Sequence, residues 1–324
     1  MKIAVIDDYQ DAFRKLDCFS RLKDHDVIVF NDTEKDPDKL AARLKDAEAL
    51  VLTQQRSAIS RALIQKLPQL KLIAQTGRVT SHIDLAACTE GGVVVAAGGT
   101  SVPHSTAELT WGLILSSLRH IPREVQHLKQ GSWQTTVGTG LDGKTLGIYA
   151  LGRIGSFVAQ VGKAFGMQVT CWGRESSKAK ALAAGYSFAQ SREAFFAAAD
   201  VVSLHIPLNR ETRGIVTAAD LAAMKPSALI VNTSRAGLIA EGALVDALGR
   251  GRPGFAAVDV YEDEPVLGGR HPLLGMPNAL CTPHLGYVEK GNYENLYGTV
   301  IDSILAFAAG APVNLLNPEA LAKN

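Results

Sequence analysis

Several features that define particular protein classes are missing from this 324-residue chain. No apolar run approaches the roughly 18 residues of a membrane-spanning helix, and the N-terminal M-K-I-A-V-I-D-D is too short for the apolar core of a secretion signal. The four cysteines are scattered without a C-x-x-C pair, so we expect reduced thiols and neither a disulfide framework nor a metal site. These absences predict a cytoplasmic protein.

An excess of charge of one sign is also missing. The 33 lysines and arginines balance 32 acidic residues, and neither sign forms a long block. Binding to nucleic acid would need a basic patch, so the composition argues against such a partner. With 47% hydrophobic residues and a length typical of about two domains, the chain has ample apolar material for buried cores.

Residues 145–174 have the pattern of a strand, a glycine turn, a helix and a second strand. The turn reads A-L-G-R-I-G, in which Gly152 lets the backbone approach a pyrophosphate and Gly155 lets helix and strand pack closely. Ala150 stands where the first glycine of a G-x-G-x-x-G motif is usual. An ordinary strand-to-helix turn would explain the glycines, but the second strand ending at Gly173 favours dinucleotide binding.

The end of that second strand indicates which dinucleotide is bound. An acidic residue about 20 positions after the glycine turn would hold the ribose 2′-hydroxyl of NAD. Gly173 stands there instead, and Arg174, Ser176 and Lys178 follow, which suits a 2′-phosphate. The pattern favours NADP(H), while Glu175 turning toward a ribose keeps NAD(H) possible.

Strand candidates alternate with helical patterns on both sides of the glycine turn, which predicts two α/β domains with parallel sheets. They cover residues 2–6, 27–30, 49–52, 70–74 and 93–95 before the turn, and 201–204, 228–232, 256–260 and 279–281 after it. A long helix is expected to start near Pro103, with Leu109, Gly112, Leu113 and Ser116 on one face. The last amphipathic segment, 294–309, is expected to pack on the first domain.

Three residues whose side chains could bind a ligand or transfer a proton lie at the ends of the later strands, where ligands of open α/β sheets bind. Arg235 offers a planar cation that suits a carboxylate, and its alternative interpretation is a surface arginine. Glu264 lies in an acidic loop before a proline, and the loop alone would be an ordinary solvated one. His284 lies between Pro283 and Gly286, although a single histidine is more often structural.

Together these segments resemble the D-isomer-specific 2-hydroxyacid dehydrogenases. N-T-S-R-A-G, V-D-V-Y-E-D-E-P and T-P-H-L-G are similar to that family's three signature blocks, in the same order, and A-L-G-R-I-G is similar to its nucleotide turn. S-T-A-E-L, L-H-I-P-L-N and H-I-D-L-A-A-C extend the resemblance over most of the chain. It implies a Rossmann coenzyme domain, residues 100–287, inserted into a flavodoxin-like substrate domain formed by residues 1–99 and 288–324.

The resemblance also implies an activity, the NAD(P)H-dependent reduction of a small 2-oxoacid to the D-2-hydroxyacid and its reverse. Glyoxylate and hydroxypyruvate are plausible substrates. A nicotinamide-sensing transcriptional corepressor resembles the same family and is one alternative. Formate-type oxidation on the same fold is another, although those relatives lack the pairing of Glu264 with His284.

Site residues follow from the resemblance by position. His284 would be the acid/base, Glu264 would hold it, and Arg235 would bind the substrate's carboxylate and carbonyl. The backbone at Gly77, Arg78 and Val79 would also hold the substrate. The implied cofactor contacts are Thr106, Leu151, Gly152, Arg153, Ile154, Gly155, Gly173, Arg174, Glu175, Ser176, Ile206, Pro207, Thr233, Ser234 and Asp259, the last of which would orient the nicotinamide amide.

Two further expectations concern assembly and departures from the family pattern. Residues 120–144 are long for a simple connection and resemble the family's dimer-forming arm, so a homodimer is predicted, the alternative being a surface loop whose Trp133 covers its own domain. Arg78 and His82 stand where relatives often carry smaller or amide side chains, which affects substrate choice. Ala236 replaces a usual glycine and should be tolerated unless the backbone there needs a positive φ.

Overall fold

The computed structural model describes residues 1–323, which fall into two units. The first contains Met1–Ser101 together with the chain from Glu289 onward, and the second contains Val102–Val288. Each unit has its own parallel sheet and its own buried apolar core. None of the helices in residues 1–323 combines the length and the apolar character needed to cross a bilayer.

The first unit is built on a five-stranded sheet in the order β2-β1-β3-β4-β5, with every pairing parallel. This is the flavodoxin-like order of a doubly wound sheet. Its strands are β1 (Lys2–Ile6), β2 (Asp26–Val29), β3 (Ala49–Leu52), β4 (Leu72–Thr76) and β5 (Val94–Gly98). Its early helices are α1 (Pro37–Leu44), α2 (Arg61–Ile64) and α3 (Leu85–Glu90). All residues of β3, β4 and β5 are buried and most of them are apolar, as expected for strands that are covered on both faces.

The second unit is built on a seven-stranded parallel sheet in the order β12-β11-β10-β9-β6-β7-β8. Counted within the unit, this is the Rossmann order 3-2-1-4-5-6 with one further strand at the end. The strands are β6 (Thr145–Tyr149), β7 (Gln168–Trp172), β8 (Ser187–Phe188), β9 (Val201–Leu204), β10 (Leu229–Asn232), β11 (Phe255–Val258) and β12 (Ala279–Cys281). The helices are α4 (Pro103–Leu118), α5 (Ile121–Lys129), α6 (Arg153–Ala164), α7 (Glu175–Ala183), α8 (Arg192–Ala198), α9 (Ala218–Ala223) and α10 (Ala243–Gly249).

These two sheets confirm the predicted fold class of two α/β units with parallel strands. The remaining helix, α11 (Lys290–Ala308), packs in the first unit against β4 and β5. Its N-terminus is capped by the carboxylate of Glu289, and Tyr297 is fully buried with its hydroxyl 2.7 Å from Oγ1 of Thr53. The apolar stripe predicted for this segment is buried at Leu296, Val300, Ile301 and Ile304.

Helices α4 and α6 bury faces that their apolar spacing does not identify. α4 begins at Pro103, as predicted, and of the four residues predicted to share a face, Leu113 is buried, Leu109 and Ser116 are half-buried and Gly112 is exposed. The buried residues are Ala107, Thr110, Trp111, Leu113, Ile114 and Leu118. In α6, close packing against β6 takes place at small residues such as Gly155, Ala159 and Gly162, which leaves Val161 and Phe165 exposed. Apolar spacing therefore identified both helices without identifying their buried faces.

Helix α5 lies in the segment that the sequence predicted as a dimer-forming arm. It has no buried residue, although Ile121, Val125 and Leu128 form one apolar stripe along it. The chain that follows turns back along the helix, where the carboxylate of Glu124 accepts hydrogen bonds from the amide and hydroxyl of Thr135. An apolar stripe with no cover within its own unit is a feature that a second protein surface would bury.

Candidate active site

The glycine turn after β6 has room for a pyrophosphate. A Cβ built on Gly152 would meet no atom within 4 Å, so the space beside this residue is open. A Cβ on Gly155 would lie 2.7 Å from the carbonyl oxygen of Ala150, which explains why no side chain fits there. No side chain caps the N-terminus of α6 at Gly152. An open cradle in front of an uncapped helix N-terminus fits the phosphates of a dinucleotide.

Ala150, the departure from the glycine pattern, has a φ of 73°. An alanine in this left-handed region costs on the order of 1 kcal/mol, a cost that glycine would avoid. Its amide donates to the carbonyl of Trp172 at 2.8 Å, and its carbonyl accepts from the amide of Gly152 at 3.0 Å. The turn thus keeps the tight conformation despite the added methyl group. Ala236, by contrast, has no positive φ, so alanine at that position is unstrained.

The predicted 2′-phosphate residues lie where β7 meets α7. Gly173 has a φ of 153°, and Arg174 is the N-cap residue of α7. The guanidinium of Arg174 is exposed and pairs with Glu211, with 3.1 Å between Nη2 and Oε2. Ser176 is exposed, and Glu175 lies 3.7 Å from the ammonium group of Lys178.

The other predicted cofactor residues lie at the same carboxyl edge of the second sheet. Leu151, which is buried, belongs to the glycine turn; Arg153 and Ile154 form the first turn of α6. Buried Ile206 and exposed Pro207 follow β9. Because the carboxyl ends of all seven parallel strands meet at this edge, the sequence-predicted residues of this unit converge there.

The turn after β10 presents Arg235. Asn232 fixes this turn, since its side-chain amide donates to the carbonyl of Arg235 at 2.9 Å and its oxygen accepts from the amide of Ser234 at 3.1 Å. The hydroxyl of Ser234 donates to the carbonyl of Leu204 at 3.0 Å. The guanidinium of Arg235 donates to the carbonyl of Ser234 at 2.6 Å. These contacts hold the backbone that carries the arginine.

A chain of hydroxyl groups connects this turn to the loop that carries His284. Thr233 and Thr110 lie 2.9 Å apart through their Oγ1 atoms, and Thr110 donates to the carbonyl of Thr106 at 2.8 Å. Thr106 in turn donates to the carbonyl of Gly286 at 2.8 Å. Helix α4 thereby connects two loops that follow different strands. Predicted residues Thr106 and Thr233 are both buried parts of this chain.

His284 and Glu264 form a direct pair, with 2.6 Å between Nδ1 and Oε2. The second carboxylate oxygen of Glu264 accepts from the amide of Tyr261 at 2.9 Å. Burial alone would raise the pKa of Glu264, but the hydrogen bond and charge of His284 outweigh it, and the charge of Arg235 acts in the same direction, so the pKa is lowered. Glu264 is therefore ionised at neutral pH. The structure thus brings the three predicted chemical residues into one electrostatic neighbourhood.

The tautomer of His284 follows from its partner. An ionised carboxylate can only accept a hydrogen bond, so Nδ1 of His284 carries the hydrogen and Nε2 is the other ring nitrogen. The side chain of His284 is 25% exposed, which leaves part of the imidazole open to a ligand. Its backbone has a φ of 53°, a conformation that non-glycine residues adopt rarely and often at functional sites.

Asp259 holds the loop around His284 in place. Its fully buried carboxylate accepts from the amides of Leu285 and Gly286 at 2.7 and 2.8 Å, and from the hydroxyl of Thr282 at 2.6 Å. Burial raises the pKa of Asp259, although these three hydrogen bonds oppose the rise. The sequence resemblance implied a contact with the nicotinamide amide, and the structure adds a role in fixing the His284 loop.

The predicted substrate loop lies in the first unit, directly after β4. Gly77 has a φ of 80°, Arg78 precedes Val79, and the side chain of Val79 is half-exposed. Buried Gln75 donates to the carbonyl of Thr76 and to that of Gln54, which stabilises the start of the loop. The sequence singled out His82 as unusual here, and its Nε2 lies 3.2 Å from the side-chain oxygen of Gln75.

Three supporting residues were not identified from the sequence. They are Asn232, Thr110 and Tyr261, whose hydrogen bonds shape the loops of the site. Tyr261 also donates its hydroxyl to the carbonyl of Thr282 at 2.9 Å. Asn232 precedes the T-S-R run directly, a position where an amide can pair with its own turn and which could have identified it. Thr110 and Tyr261 carried no comparable signal, because their partners are distant in sequence.

Comparison with known proteins decides the family. Residues 111–286 match the family model of the D-isomer specific 2-hydroxyacid dehydrogenase, NAD binding domain, and these residues are more than half of the chain. A glyoxylate reductase from Aeropyrum pernix is 34% identical over 310 residues, which are 92% of this chain and 91% of that protein. This chain belongs to the D-isomer specific 2-hydroxyacid dehydrogenases.

Other members of this dehydrogenase family match with different coverage. A D-3-phosphoglycerate dehydrogenase from Methanocaldococcus jannaschii is 38% identical over 82% of this chain, and the chain spans about half of that protein, 50% of its length. The crystal structure of a phosphoglycerate oxidoreductase from Vibrio cholerae is 50% identical, with a TM-score of 0.93 over 96% of this chain and all of that one. Membership of this family makes the chain an oxidoreductase with a nicotinamide-binding domain. Neither of the alternative functions, the transcriptional corepressor or formate-type oxidation, is favoured.

Proposed function

We propose that this dehydrogenase reduces a small 2-oxoacid to the D-2-hydroxyacid and catalyses the reverse reaction, with glyoxylate and hydroxypyruvate as candidate substrates. One observation carries the proposal: the 2.6 Å pair of His284 with Glu264, in the same electrostatic neighbourhood as Arg235. An imidazole held by a carboxylate provides a proton, and a guanidinium binds a carboxylate; both are needed to reduce a 2-oxoacid.

His284 acts as the acid/base in this proposal. With Nδ1 committed to Glu264, a protonated Nε2 gives its proton to the carbonyl oxygen of the substrate, and in the reverse direction neutral Nε2 accepts the hydroxyl proton. The ionised Glu264 stabilises the imidazolium form. Asp259 and Tyr261 keep the two loops of this pair in position.

Arg235 orients and polarises the substrate. Its guanidinium binds the substrate carboxylate and contacts the carbonyl oxygen, which stabilises the negative charge that develops there. In the first unit, the backbone amides at Gly77, Arg78 and Val79 stay predicted substrate contacts. We therefore assign the substrate domain to residues 1–99 and 288–324.

The proposed coenzyme domain, residues 100–287, corresponds closely to the second unit, Val102–Val288. Gly152 and Gly155 fit a pyrophosphate at the N-terminus of α6, and Thr106, Ile206, Pro207, Thr233 and Ser234 line the same carboxyl edge. A bound nicotinamide supplies the hydride or accepts it in the reverse direction. The contribution of the chain is alignment, a proton and charge stabilisation.

We further propose that the preferred cofactor is NADP(H). Support comes from Arg174 at the start of α7, from the exposed Ser176 and Lys178 beside it, and from the absence of an acidic side chain at Gly173. A charge-assisted contact to a phosphate is worth ~1.5–3 kcal/mol, so kcat/KM should favour NADPH over NADH by about 10–100-fold.

A homodimer is the proposed assembly. Most of the exposed large apolar side chains of the second unit lie on α5, on the chain after it and on or directly after α6; they are Ile121, Val125, Leu128, Trp133, Val137, Val161 and Phe165, while Leu182, Leu267 and Leu274 lie elsewhere. Two copies that face each other through this surface would bury it symmetrically, the usual arrangement for soluble homodimers.

A cytoplasmic location stays a prediction from the cysteine pattern.

The experiment that tests the function is a panel of 2-oxoacids, assayed with NADPH and with NADH. We expect turnover of small 2-oxoacids, with D-2-hydroxyacid as the product and the larger kcat/KM with NADPH. If no member of the panel is turned over, the proposed reductase activity is refuted. Turnover with equal or better kinetics for NADH would refute only the cofactor preference.

A further inference from the structure

The Arg174–Glu211 pair spans the end of the strand that leads into the glycine turn. Arg174 follows β7 and Glu211 follows β9, and the sheet order places β6 between these two strands. The 3.1 Å contact between Nη2 and Oε2 therefore joins the two loops that flank the carboxyl end of β6. The residue proposed to bind the 2′-phosphate thus already has an anionic partner.

The backbone around Glu211 is fixed by its own loop. The side-chain oxygen of Asn209 accepts from the amides of Glu211 and Thr212 at 2.9 and 3.0 Å. The hydroxyl of Thr212 donates to the carbonyl of Pro207 at 2.7 Å. Glu211 itself remains exposed, with 79% of its side chain accessible. The carboxylate therefore extends from an ordered backbone toward the guanidinium of Arg174.

We propose that Glu211 is a specificity-determining residue that limits the affinity of this chain for NADP(H). A 2′-phosphate carries close to two negative charges at neutral pH, so it must replace the carboxylate as the partner of Arg174 and is repelled by that carboxylate. NAD(H) has no such group, so its binding leaves the pair intact. The inference rests on the proposed preference for NADP(H), and it adds that the preference is smaller than Arg174 alone would give.

The size of the effect follows from exposure. Both side chains are more than 70% accessible, at 73% and 79%, so water and salt weaken the pair and its repulsion of a phosphate. Replacing the carboxylate by a neutral amide of the same shape should therefore tighten NADPH binding by about two- to fivefold, and change NADH binding by less than about twofold. Higher ionic strength should reduce the difference between the two variants.

The test is equilibrium binding of NADPH and NADH, without turnover, to the full-length protein and its Glu211→Gln variant by titration calorimetry. Glu241→Gln, which removes the same charge from an exposed position just before α10, is the matched control and should leave both affinities unchanged. An unchanged NADPH affinity in Glu211→Gln would overturn the inference. Equal tightening of both cofactors would overturn it as well, since it would show a general charge effect.

Arg174→Ala separates this inference from the cofactor proposal. If the ratio of NADPH to NADH affinity stays the same in Arg174→Ala, the preference proposed for this turn is wrong. If that ratio falls in Arg174→Ala while Glu211→Gln binds NADPH as the unmodified protein does, only the role of Glu211 is wrong. Asp at position 173 is a poorer probe, because Gly173 has a φ of 153° and a Cβ there would lie 3.1 Å from Oγ of Ser177.

Discussion

His284 and Glu264 are joined by a 2.6 Å contact between Nδ1 and Oε2, although they belong to loops that follow different strands, β12 and β11. Each partner is also held by its own loop, Glu264 through the amide of Tyr261 and His284 through the hydrogen bonds of its neighbours to Asp259. The histidine has a left-handed backbone conformation that costs free energy. This surrounding network explains how the strained arrangement persists.

Removing the negative charge of Glu264 tests how this carboxylate acts on His284. In Glu264→Gln the amide oxygen can still accept from Nδ1, but the imidazolium loses its counter-charge, so kcat at neutral pH should fall by about 10–100-fold. In the direction of 2-oxoacid reduction, the alkaline side of the pH–activity profile, where the proton donor is lost, should also move to lower pH. Glu262→Gln, which removes the adjacent acid that pairs with His271 at 2.9 Å, is the control. Identical pH profiles for Glu264→Gln and the unmodified protein would contradict the assigned role.

Arg235→Ala tests substrate binding and polarisation together. KM for the 2-oxoacid should rise and kcat should fall, because the guanidinium is proposed to contact both carboxylate and carbonyl, while the Kd for the cofactor stays near its original value. Arg235→Lys should restore only part of the loss, since a point charge lacks the planar fork. Arg250→Ala, at an exposed position, serves as the control. Weaker cofactor binding with unchanged KM for the 2-oxoacid would show that Arg235 has another role.

Sequence patterns located the strands well where apolar runs have polar boundaries. Strands β1 and β3 were predicted to the residue, because Asp7 ends the first apolar run and Glu48 precedes the second. β4 was placed two residues too early, since Gln75 and Thr76 are polar and extend beyond the apolar run of the sequence. In the fold both are buried, and Gln75 satisfies its amide with two backbone carbonyls. Tertiary hydrogen bonds of this kind are invisible to local patterns.

The candidate site was partly predictable for a similar reason. Arg235, Glu264 and His284 were identified because parallel strands deliver their following residues to one edge, and the family signature assigned each of them a role. Asn232 and Tyr261 were missed because their hydrogen bonds shape loops instead of facing a ligand. The exposed apolar residues of α6 were unforeseen, since apolar spacing predicts a helix and does not tell a core from an assembly surface, whereas α5 lies in the segment predicted as a dimer-forming arm.

The homodimer prediction concerns the apolar stripe of α5. Val125→Asp combined with Leu128→Asp places two charges on this stripe, where Val125 and Leu128 are 47% and 57% exposed. Light scattering at micromolar concentration should show a dimer for the unmodified protein and a monomer for this variant. Leu182→Asp, at a 59% exposed position on α7, should remain a dimer. A monomeric unmodified protein would refute the assembly.

Two buried histidines should make the free energy of unfolding depend on pH. Within residues 1–323, Nδ1 of His82 and of His205 is buried without a hydrogen-bond partner, and burial lowers the pKa of both residues to about 4. Unfolded histidines bind protons near pH 6.5, so between pH 6.5 and 4 the unfolded state holds more protons, and stability falls as the pH falls. Each such proton contributes a slope of up to about 1.4 kcal/mol per pH unit.

Denaturant unfolding at several pH values measures this slope. His205→Gln should flatten the fall in the free energy of unfolding between pH 6.5 and 4, whatever its effect at pH 7.5. The exposed His104 provides the control, and His104→Gln should leave the slope unchanged. A slope that does not change in His205→Gln would mean that this imidazole is not held neutral by the fold.

The most direct test of the proposed function is single-turnover and steady-state reduction of glyoxylate and hydroxypyruvate by the unmodified protein and by His284→Gln. The unmodified protein should reduce these 2-oxoacids, and kcat should fall by about 10²–10⁴ in the variant, because the proton donor acts in the transition state. The Kd for NADPH should be nearly the same in both proteins. Undiminished turnover in His284→Gln would contradict the assignment of His284 as the acid/base on which the proposed function depends.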